Sequence, residues 1–281
     1  MINNIVQLLR PAHWVKNFFV FIPLVFSGAF IKFDAIIDAS LAAILFCLAS
    51  SVVYIANDIH DVESDRRHAN KARLRPLASA ALSVKAALYT LFIMLGIICV
   101  AGFMLFPDVL YVLLGYIALM LTYTWYLKYQ PVLDIFTIAI GFVLRIYAGA
   151  IAIDVPVSPW TFVTALSLAL YLAAIKRRQE LILHGSESRE VLNHYTESLV
   201  TRFAEIAATS ALVFYSIYVL SSRPELIMTI PIVLFGLFRY WYIVESFDSG
   251  ESPTEAIFKD YQLVLTVLVW IATTVFLIWK N

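Results

Sequence analysis

Residues 36–65 read IIDASLAAILFCLASSVVYIANDIHDVESD, and they join two kinds of sequence that are seldom neighbours. The first twenty-one residues carry a single charge, and about 20 residues of helix cross the hydrocarbon core of a membrane. The last nine carry four acids, Asp58, Asp61, Glu63 and Asp65. An apolar helix that ends in a dense group of carboxylates predicts a membrane span with a charged site at its aqueous end.

The rest of the chain shares this apolar character. Of 281 residues, 62% are hydrophobic and 14% are charged, with a mean hydropathy of +0.84, so a soluble domain would have a largely apolar surface. We find nine candidate spans: 14–31, 36–56, 84–106, 109–127, 132–153, 159–175, 204–221, 225–244 and 261–279. The first is long, contains Pro23 and lacks a clear cleavage site, so we expect it to be retained rather than removed as a signal peptide. These features predict an all-α fold, a single integral-membrane domain over residues 1–281 built as a bundle of about nine transmembrane helices around a central cavity.

Lysine and arginine residues indicate the orientation. Sixteen of the twenty lie at the N-terminus or at the loops after alternate segments, three (Lys32, Arg223 and Lys280) lie on the opposite side, and Arg145 lies within a segment. This bias is typical of cytoplasmic loops. We therefore expect a multi-pass protein of the cell (inner) membrane whose N-terminus, cavity opening and loops 57–83, 176–203 and 245–260 are cytoplasmic. In the second loop, apolar residues recur at helical spacing and predict a surface helix over residues 189–203. The net charge of zero gives no support for nucleic-acid binding.

Asp58, Asp61 and Asp65 have the spacing i, i+3, i+7, so they share one face of an α-helix. A row of carboxylates suits Mg²⁺, which bridges protein carboxylates to phosphate oxygens, and Asn57 can add an amide oxygen or donor. Three bases follow within a few residues, Lys71, Arg73 and Arg75. Such cations suit the diphosphate oxygens that a metal does not reach. The alternative is a solvated acidic helix end, favoured by the helix dipole.

Further candidate residues lie in or at the end of other predicted spans. Arg145 lies deep within segment 132–153, where a charge is expensive and faces a cavity, a polar ligand or a buried acid. At the end of segment 159–175, Lys176, Arg177 and Glu180 form either a phosphate site or ordinary positive-inside anchoring. Tyr126 and Lys128, at the end of segment 109–127, have the same two interpretations.

Other chemistries find little support. His60 and His68 have no partner at zinc-like spacing, and we find no nucleophile elbow, P-loop or dinucleotide fingerprint. Cys47 and Cys99 each fall near the middle of a predicted helix, the position of a small buried thiol.

The motifs taken together resemble those of the UbiA-type superfamily of intramembrane prenyltransferases. The superfamily motif NDxxDxxxD reads Asn57, Asp58, Asp61, Asp65. Other stretches are similar to the branch of decaprenyl-phosphate phosphoribosyltransferases: LRPAHWVKNFFVFIPLVFSG (9–28), PVLDIFTIAIGFVLRIYAGA (131–150), SPWTFVTALSLALYLAAIKRRQEL (158–181), FRYWYIVES (238–246) and GESPTE (250–255). The resemblance covers nearly the whole chain.

The resemblance implies an enzyme that transfers 5-phosphoribose from 5-phosphoribosyl 1-diphosphate to a polyprenyl phosphate and releases diphosphate. It implies that Asp58, Asp61 and Asp65 hold catalytic Mg²⁺ on the departing diphosphate. The implied substrate-binding residues are Asn57, Lys16, Lys71, Arg73, Arg75, Tyr126, Lys128, Arg145, Lys176, Arg177 and Glu180. The sequence departs from the family pattern after the acids, because three residues rather than two separate Lys71 from Arg75. Either Arg73 or Arg75 is therefore the implied phosphate ligand.

Two other functions remain open from the sequence. The same Mg²⁺ site could ionise a prenyl diphosphate for attack by an aromatic acceptor, and the aspartates do not distinguish the two reactions. A transporter or lipid flippase with Arg145 on its pathway is a reading of another class. Against it, nearly all the charges cluster on one side of the predicted bundle.

Overall fold

The computed structural model describes residues 2–67, 72, 74–185, 189–247 and 259–280, and every regular element in these ranges is helical. Within these ranges, eight helices are long and apolar enough to cross a membrane. In chain order they are α1 (Phe33–His60), α2 (Val84–Leu105), α3 (Pro107–Trp125), α4 (Leu133–Ala152), α5 (Pro159–His184), α6 (Glu197–Ser222), α7 (Ile230–Phe247) and α8 (Tyr261–Lys280). The predicted all-α, multi-pass membrane fold is confirmed. The ninth span, the central cavity and the side on which it opens stay predictions.

The segment predicted as the first span, 14–31, has a different structure. Pro11–Phe21 is a 3₁₀ helix that continues into the short α-helix Ile22–Phe26, and a second 3₁₀ turn covers Ala29–Ile31. A 3₁₀ helix rises about 2.0 Å per residue and an α-helix about 1.5 Å, so the continuous helix is about 30 Å long. Gly28 ends this segment with a φ of 78°, a left-handed conformation that favours glycine.

The 3₁₀ geometry explains how Pro11–Phe21 packs against α1. With three residues per turn, Trp14, Asn17 and Val20 lie on one face. Trp14 Nε1 donates to Ser51 Oγ at 3.0 Å, and Asn17 Nδ2 lies 3.2 Å from Ser50 Oγ, both on α1. These side chains therefore attach the N-terminal segment to α1.

The predicted surface helix over 189–203 is wrong. Glu190–His194 is a short 3₁₀ helix, and α6 begins only at Glu197. Tyr195 and Thr196 between them are extended, and the Thr196 side chain accepts a hydrogen bond from Leu199 N at 3.2 Å. A threonine N-cap of this kind starts a helix, so the apolar residues that suggested one helix belong to two elements.

Two compact units divide the chain by their internal contacts. The first comprises Met1–Leu24, Ala29–Leu127 and Leu144–Pro156, and the second Val25–Gly28, Lys128–Val143 and Val157–Asn281. That the whole chain forms one functional domain stays a prediction.

The first unit has its core between α1, α2 and α3. Phe46, Ile55, Ile98 and Leu113 are fully buried there. Gly149 of α4 lies against the N-terminal 3₁₀ helix so closely that a Cβ atom on it would be 1.9 Å from the carbonyl oxygen of Val20. Only glycine permits this approach of two backbones.

The second unit has its described core between α5, α6 and α7. Tyr171 of α5 stacks on Trp241 of α7 with ring centroids 6.0 Å apart. Val191, Leu192 and Tyr195, from the connection between α5 and α6, are buried in the same cluster. These three residues therefore anchor the described part of the connection in the core.

Candidate active site

The aspartate motif lies at the end of α1 and in the following short helix, Val62–Arg67. Asp61 caps α1, and the hydrogen bonds Asp61 N to Asn57 O (2.9 Å) and Asp65 N to Asp61 O (2.8 Å) carry the helical pattern across the junction. Asp58 and Asp65, two turns apart, consequently point to the same side. Both are buried, at 2% and 4% side-chain exposure.

Two arginines contact these carboxylates. Arg10 Nη2 donates to Asp58 Oδ1 at 2.5 Å, and the Arg10 Cζ lies 5.3 Å from the centre of the Tyr54 ring. Arg75 Nη1 lies 3.2 Å from Asp58 Oδ1 and also donates to Asp65 Oδ2. We call Arg10, Asp58, Asp65 and Arg75 the aspartate cluster.

The donor set of this cluster fits a divalent cation. One oxygen of Asp58 and one of Asp65 converge on a single guanidinium nitrogen, and carboxylate oxygens are the ligands that Mg²⁺ prefers. The Oδ1 atom of Asp61 lies 2.7 Å from His60 Nδ1. In the described part of the chain no three His, Cys, Asp or Glu side chains lie close enough together to hold a metal ion. The third carboxylate ligand therefore stays a prediction.

The other residues predicted around the motif vary in what the structure shows. Asn57 Oδ1 lies 3.4 Å from Thr124 Oγ1 of α3. Tyr126 is largely exposed, and the Lys128 Nζ lies 5.2 Å from the centre of the Tyr129 ring. Lys71 and Arg73 lie outside the described residues, so the structure supports a contact with the acids for Arg75 without excluding Arg73.

Arg145 is buried in α4, and its surroundings include two aromatic rings. Its Cζ lies 4.9 Å from the ring centres of both Phe46 and Tyr116. Nε donates to Asn17 Oδ1 at 2.8 Å, and Nη2 donates to the Tyr116 hydroxyl at 3.1 Å. Desolvated rings stabilise a guanidinium, so the structure provides a way to hold this charge that the sequence did not reveal. The predicted cavity-lining role of Arg145, and the substrate role of the neighbouring Lys16, stay predictions.

Lys176 and Arg177 both contact Glu180 at the end of α5. Arg177 is only 1% exposed, and it contacts Glu180 through Nη1 and Asp134 Oδ2 through Nε at 3.0 Å. Arg177 is therefore not an exposed charge at the membrane surface, because its guanidinium lies between two buried acids. Lys176 Nζ, at 3.9 Å, and Arg189 Nε, at 3.2 Å, also contact Glu180. We call Asp134, Lys176, Arg177, Glu180 and Arg189 the arginine cluster.

Tyr195 connects to this cluster through its hydroxyl, which donates to Asp134 Oδ1 at 2.6 Å. Burial, and then the hydrogen bond to Asp134, raise the pKa of Tyr195 above its ordinary value, so the hydroxyl keeps its proton at neutral pH and acts as a donor.

Four residues that were not predicted as site residues lie in these clusters or contact them: Arg10, Asp134, Arg189 and Tyr195. Arg10 and Asp134 both lie within stretches that already carried the family resemblance, and each is a charge at the edge of an apolar run. That was the available signal. Arg189 and Tyr195 had none, because their contacts depend on how the connection between α5 and α6 folds.

These observations define a class of protein: a multi-pass membrane protein with buried carboxylates and many cationic side chains at helix ends. The chain belongs to the UbiA prenyltransferase family, whose model matches residues 20–266. Family membership makes it a transferase.

Curated relatives narrow the comparison within the family. The decaprenyl-phosphate phosphoribosyltransferase of Mycobacterium tuberculosis is 32% identical over 97% of this chain and 93% of that protein. The protein of the same name from Mycolicibacterium smegmatis is 33% identical over 97% of this chain and 92% of its own length.

Solved structures show the same fold. A UbiA homologue from Archaeoglobus fulgidus bound to GPP and Mg²⁺ superposes with a TM-score of 0.74, covering 98% of this chain and 99% of that one, at 17% sequence identity. At this identity the likeness concerns the fold.

Proposed function

We propose that the protein transfers the 5-phosphoribosyl group of 5-phosphoribosyl 1-diphosphate to a polyprenyl phosphate, with release of diphosphate. The observation that carries the proposal is the 32–33% identity, across nearly the whole length of both chains, to proteins named decaprenyl-phosphate phosphoribosyltransferase. The lysine and arginine bias further supports a site that opens to the cytoplasm, where a water-soluble phosphosugar is available.

The reaction requires little proton transfer. An oxygen of the lipid phosphate attacks C1 of the ribose, the bond from C1 to the diphosphate oxygen breaks, and diphosphate leaves with the electron pair. Because a phosphate dianion is already a nucleophile, the enzyme has to position it and stabilise charge on the leaving group. Abundant cations and the absence of any recognised triad motif are consistent with this demand.

The residues of the aspartate cluster have the chemistry to bind the leaving group. Asp58 and Asp65 would hold Mg²⁺, which neutralises charge on the departing diphosphate when bound. Asp61 is proposed as a third ligand because it belongs to the same motif. Arg75 contacts both acids and would bind diphosphate oxygens next to the metal, together with Lys71 or Arg73.

The remaining predicted residues are proposed to bind the other phosphate groups. Two phosphorylated substrates require several cations, and Lys176 and Arg189 are each about one-third exposed, at 34% and 35%. Arg177 instead holds Asp134 and Glu180 together. The role we assign to Arg177 is therefore to shape the arginine cluster. Further candidate contacts to the substrates are Lys16, Tyr126, Lys128 and Arg145.

The proposal is tested by incubating the purified protein with Mg²⁺, a polyprenyl phosphate and ribose-labelled phosphoribosyl diphosphate. The label should enter the lipid fraction. Asp58→Asn should abolish incorporation because it removes a buried metal-binding charge, whereas Asp34→Asn, an exposed acid at the other end of α1, should leave it unchanged. Incorporation that survives Asp58→Asn, or that never occurs with wild-type protein, would contradict the proposal.

A further inference from the structure

Tyr195 lies in the connection between α5 and α6, directly after the 3₁₀ helix Glu190–His194. It is 6% exposed, and its ring packs edge-on to Phe203. Its hydroxyl makes two hydrogen bonds of 2.6 Å, accepting from the backbone N–H of Val132 and donating to Asp134 Oδ1. One hydroxyl thus joins this connection to the start of α4.

Val132, whose backbone N–H donates to the Tyr195 hydroxyl, has a strained conformation. Val132 has a φ of 69°, a left-handed conformation that is rare for a β-branched residue. Such a conformation persists only where surrounding contacts determine it, and it occurs most often at functional sites. The hydroxyl of Tyr195 supplies one of these contacts, because it accepts the N–H of the strained residue.

Asp134, whose carboxylate accepts from the Tyr195 hydroxyl, belongs to the arginine cluster. The second oxygen of Asp134 lies 3.0 Å from Arg177 Nε, and Arg177 in turn contacts Glu180. Glu180 also contacts Lys176 and Arg189. The Tyr195 hydroxyl is therefore linked, through two acids and a buried arginine, to the two partly exposed cations of the cluster.

We propose that Tyr195 is a positioning residue, whose hydroxyl fixes Asp134 and the Val132 turn so that Lys176 and Arg189 are held ready to bind a phosphate group of the phosphosugar donor. The proposal rests on the proposed function. The five side chains of the cluster carry three positive and two negative formal charges, and their sum of +1 favours an anionic ligand over a cationic one. A residue that acts on ground-state binding in this way changes KM rather than kcat.

The test uses Tyr195→Phe, which removes the hydroxyl and keeps the ring. Its matched control is Tyr215→Phe, because Tyr215 is equally buried, at 5%, and its hydroxyl also has two partners, Thr229 Oγ1 at 2.5 Å and Trp270 Nε1 at 3.1 Å. Both variants should lose a similar amount of thermal stability. Only Tyr195→Phe should raise KM for phosphoribosyl diphosphate, on the order of tenfold, with kcat within about twofold of wild type.

Amide hydrogen exchange gives a second readout that needs no substrate. Exchange at Val132 should become faster in Tyr195→Phe and remain unchanged in Tyr215→Phe. If KM changes in neither variant or equally in both, or if exchange at Val132 is unaffected, the positioning role is overturned while the proposed function stands. A wild-type protein that makes no phosphoribosyl lipid would overturn both.

Discussion

Arg145 illustrates how a charge is accommodated inside a membrane protein. A guanidinium in a span is expensive in lipid, yet here it packs against a pair of aromatic rings that contact each other, Phe46 and Tyr116. It also donates to the amide oxygen of Asn17 and to the hydroxyl of Tyr116. A planar, weakly hydrated guanidinium suits this setting better than an ammonium group. The sequence located the charge, but it could not supply these partners, which come from α1, α3 and the 3₁₀ helix Pro11–Phe21.

Arg145→Lys should therefore destabilise the protein although it keeps the charge. The loss of ring contacts and forked hydrogen bonds should lower the free energy of unfolding by about 2 kcal/mol. Thermal unfolding in detergent measures this, with Arg202→Lys, at an exposed position, as the control. Equal stability of the two variants would show that the aromatic surroundings contribute nothing specific.

The aspartate cluster allows a prediction on metal binding that is independent of turnover. Asp65→Asn should weaken Mn²⁺ binding at least tenfold, since one of two converging carboxylates is lost. Electron paramagnetic resonance of free Mn²⁺ reports the affinity, with Asp34→Asn as control. Unchanged Mn²⁺ affinity in Asp65→Asn would exclude this residue as a ligand.

Metal removal gives a separate prediction on activity. A chelator should abolish activity, and added Mg²⁺ should restore it.

At the scale of helices, the sequence predicted most elements for a simple physical reason: apolar length is required to cross a membrane. Segment 84–106 corresponds to α2, Val84–Leu105, almost to the residue. Hydropathy carries no information on helix type, so the sequence did not predict the 3₁₀ geometry of Pro11–Phe21. The prediction of one helix over residues 189–203 was wrong because its apolar spacing runs across Thr196, which caps a new helix.

The packing of α4 on the N-terminal 3₁₀ helix gives a prediction at this scale. Gly149→Ala should destabilise the protein by about 3 kcal/mol, because its Cβ would lie 1.9 Å from the Val20 carbonyl oxygen. Gly115→Ala in α3 is the control, since nothing lies within 4 Å of a Cβ there, and alanine favours a helix by up to about 1 kcal/mol. Melting temperatures should move in opposite directions; a shared shift would argue against the close approach.

At the scale of the whole molecule, charge placement could be read from the sequence more fully than charge pairing. The spacing predicted a common face for Asp58, Asp61 and Asp65, and the structure brings two of them, Asp58 and Asp65, onto Arg75. The contact of Asp134 with Arg177 could not be predicted, because the two residues lie on different helices and meet only through packing. The family resemblance, by contrast, depended on local motifs and so was visible without a structure.

The central claim is that the chain uses a phosphosugar donor and a lipid phosphate acceptor. The most direct measurement offers purified protein both substrate pairs at once, with Mg²⁺: phosphoribosyl diphosphate with a polyprenyl phosphate, and a prenyl diphosphate with an aromatic acceptor. Mass spectrometry then identifies the lipid product. We predict a polyprenyl phosphate that has gained one phosphoribosyl group; a prenylated aromatic product, with the lipid phosphate unchanged, would contradict the account.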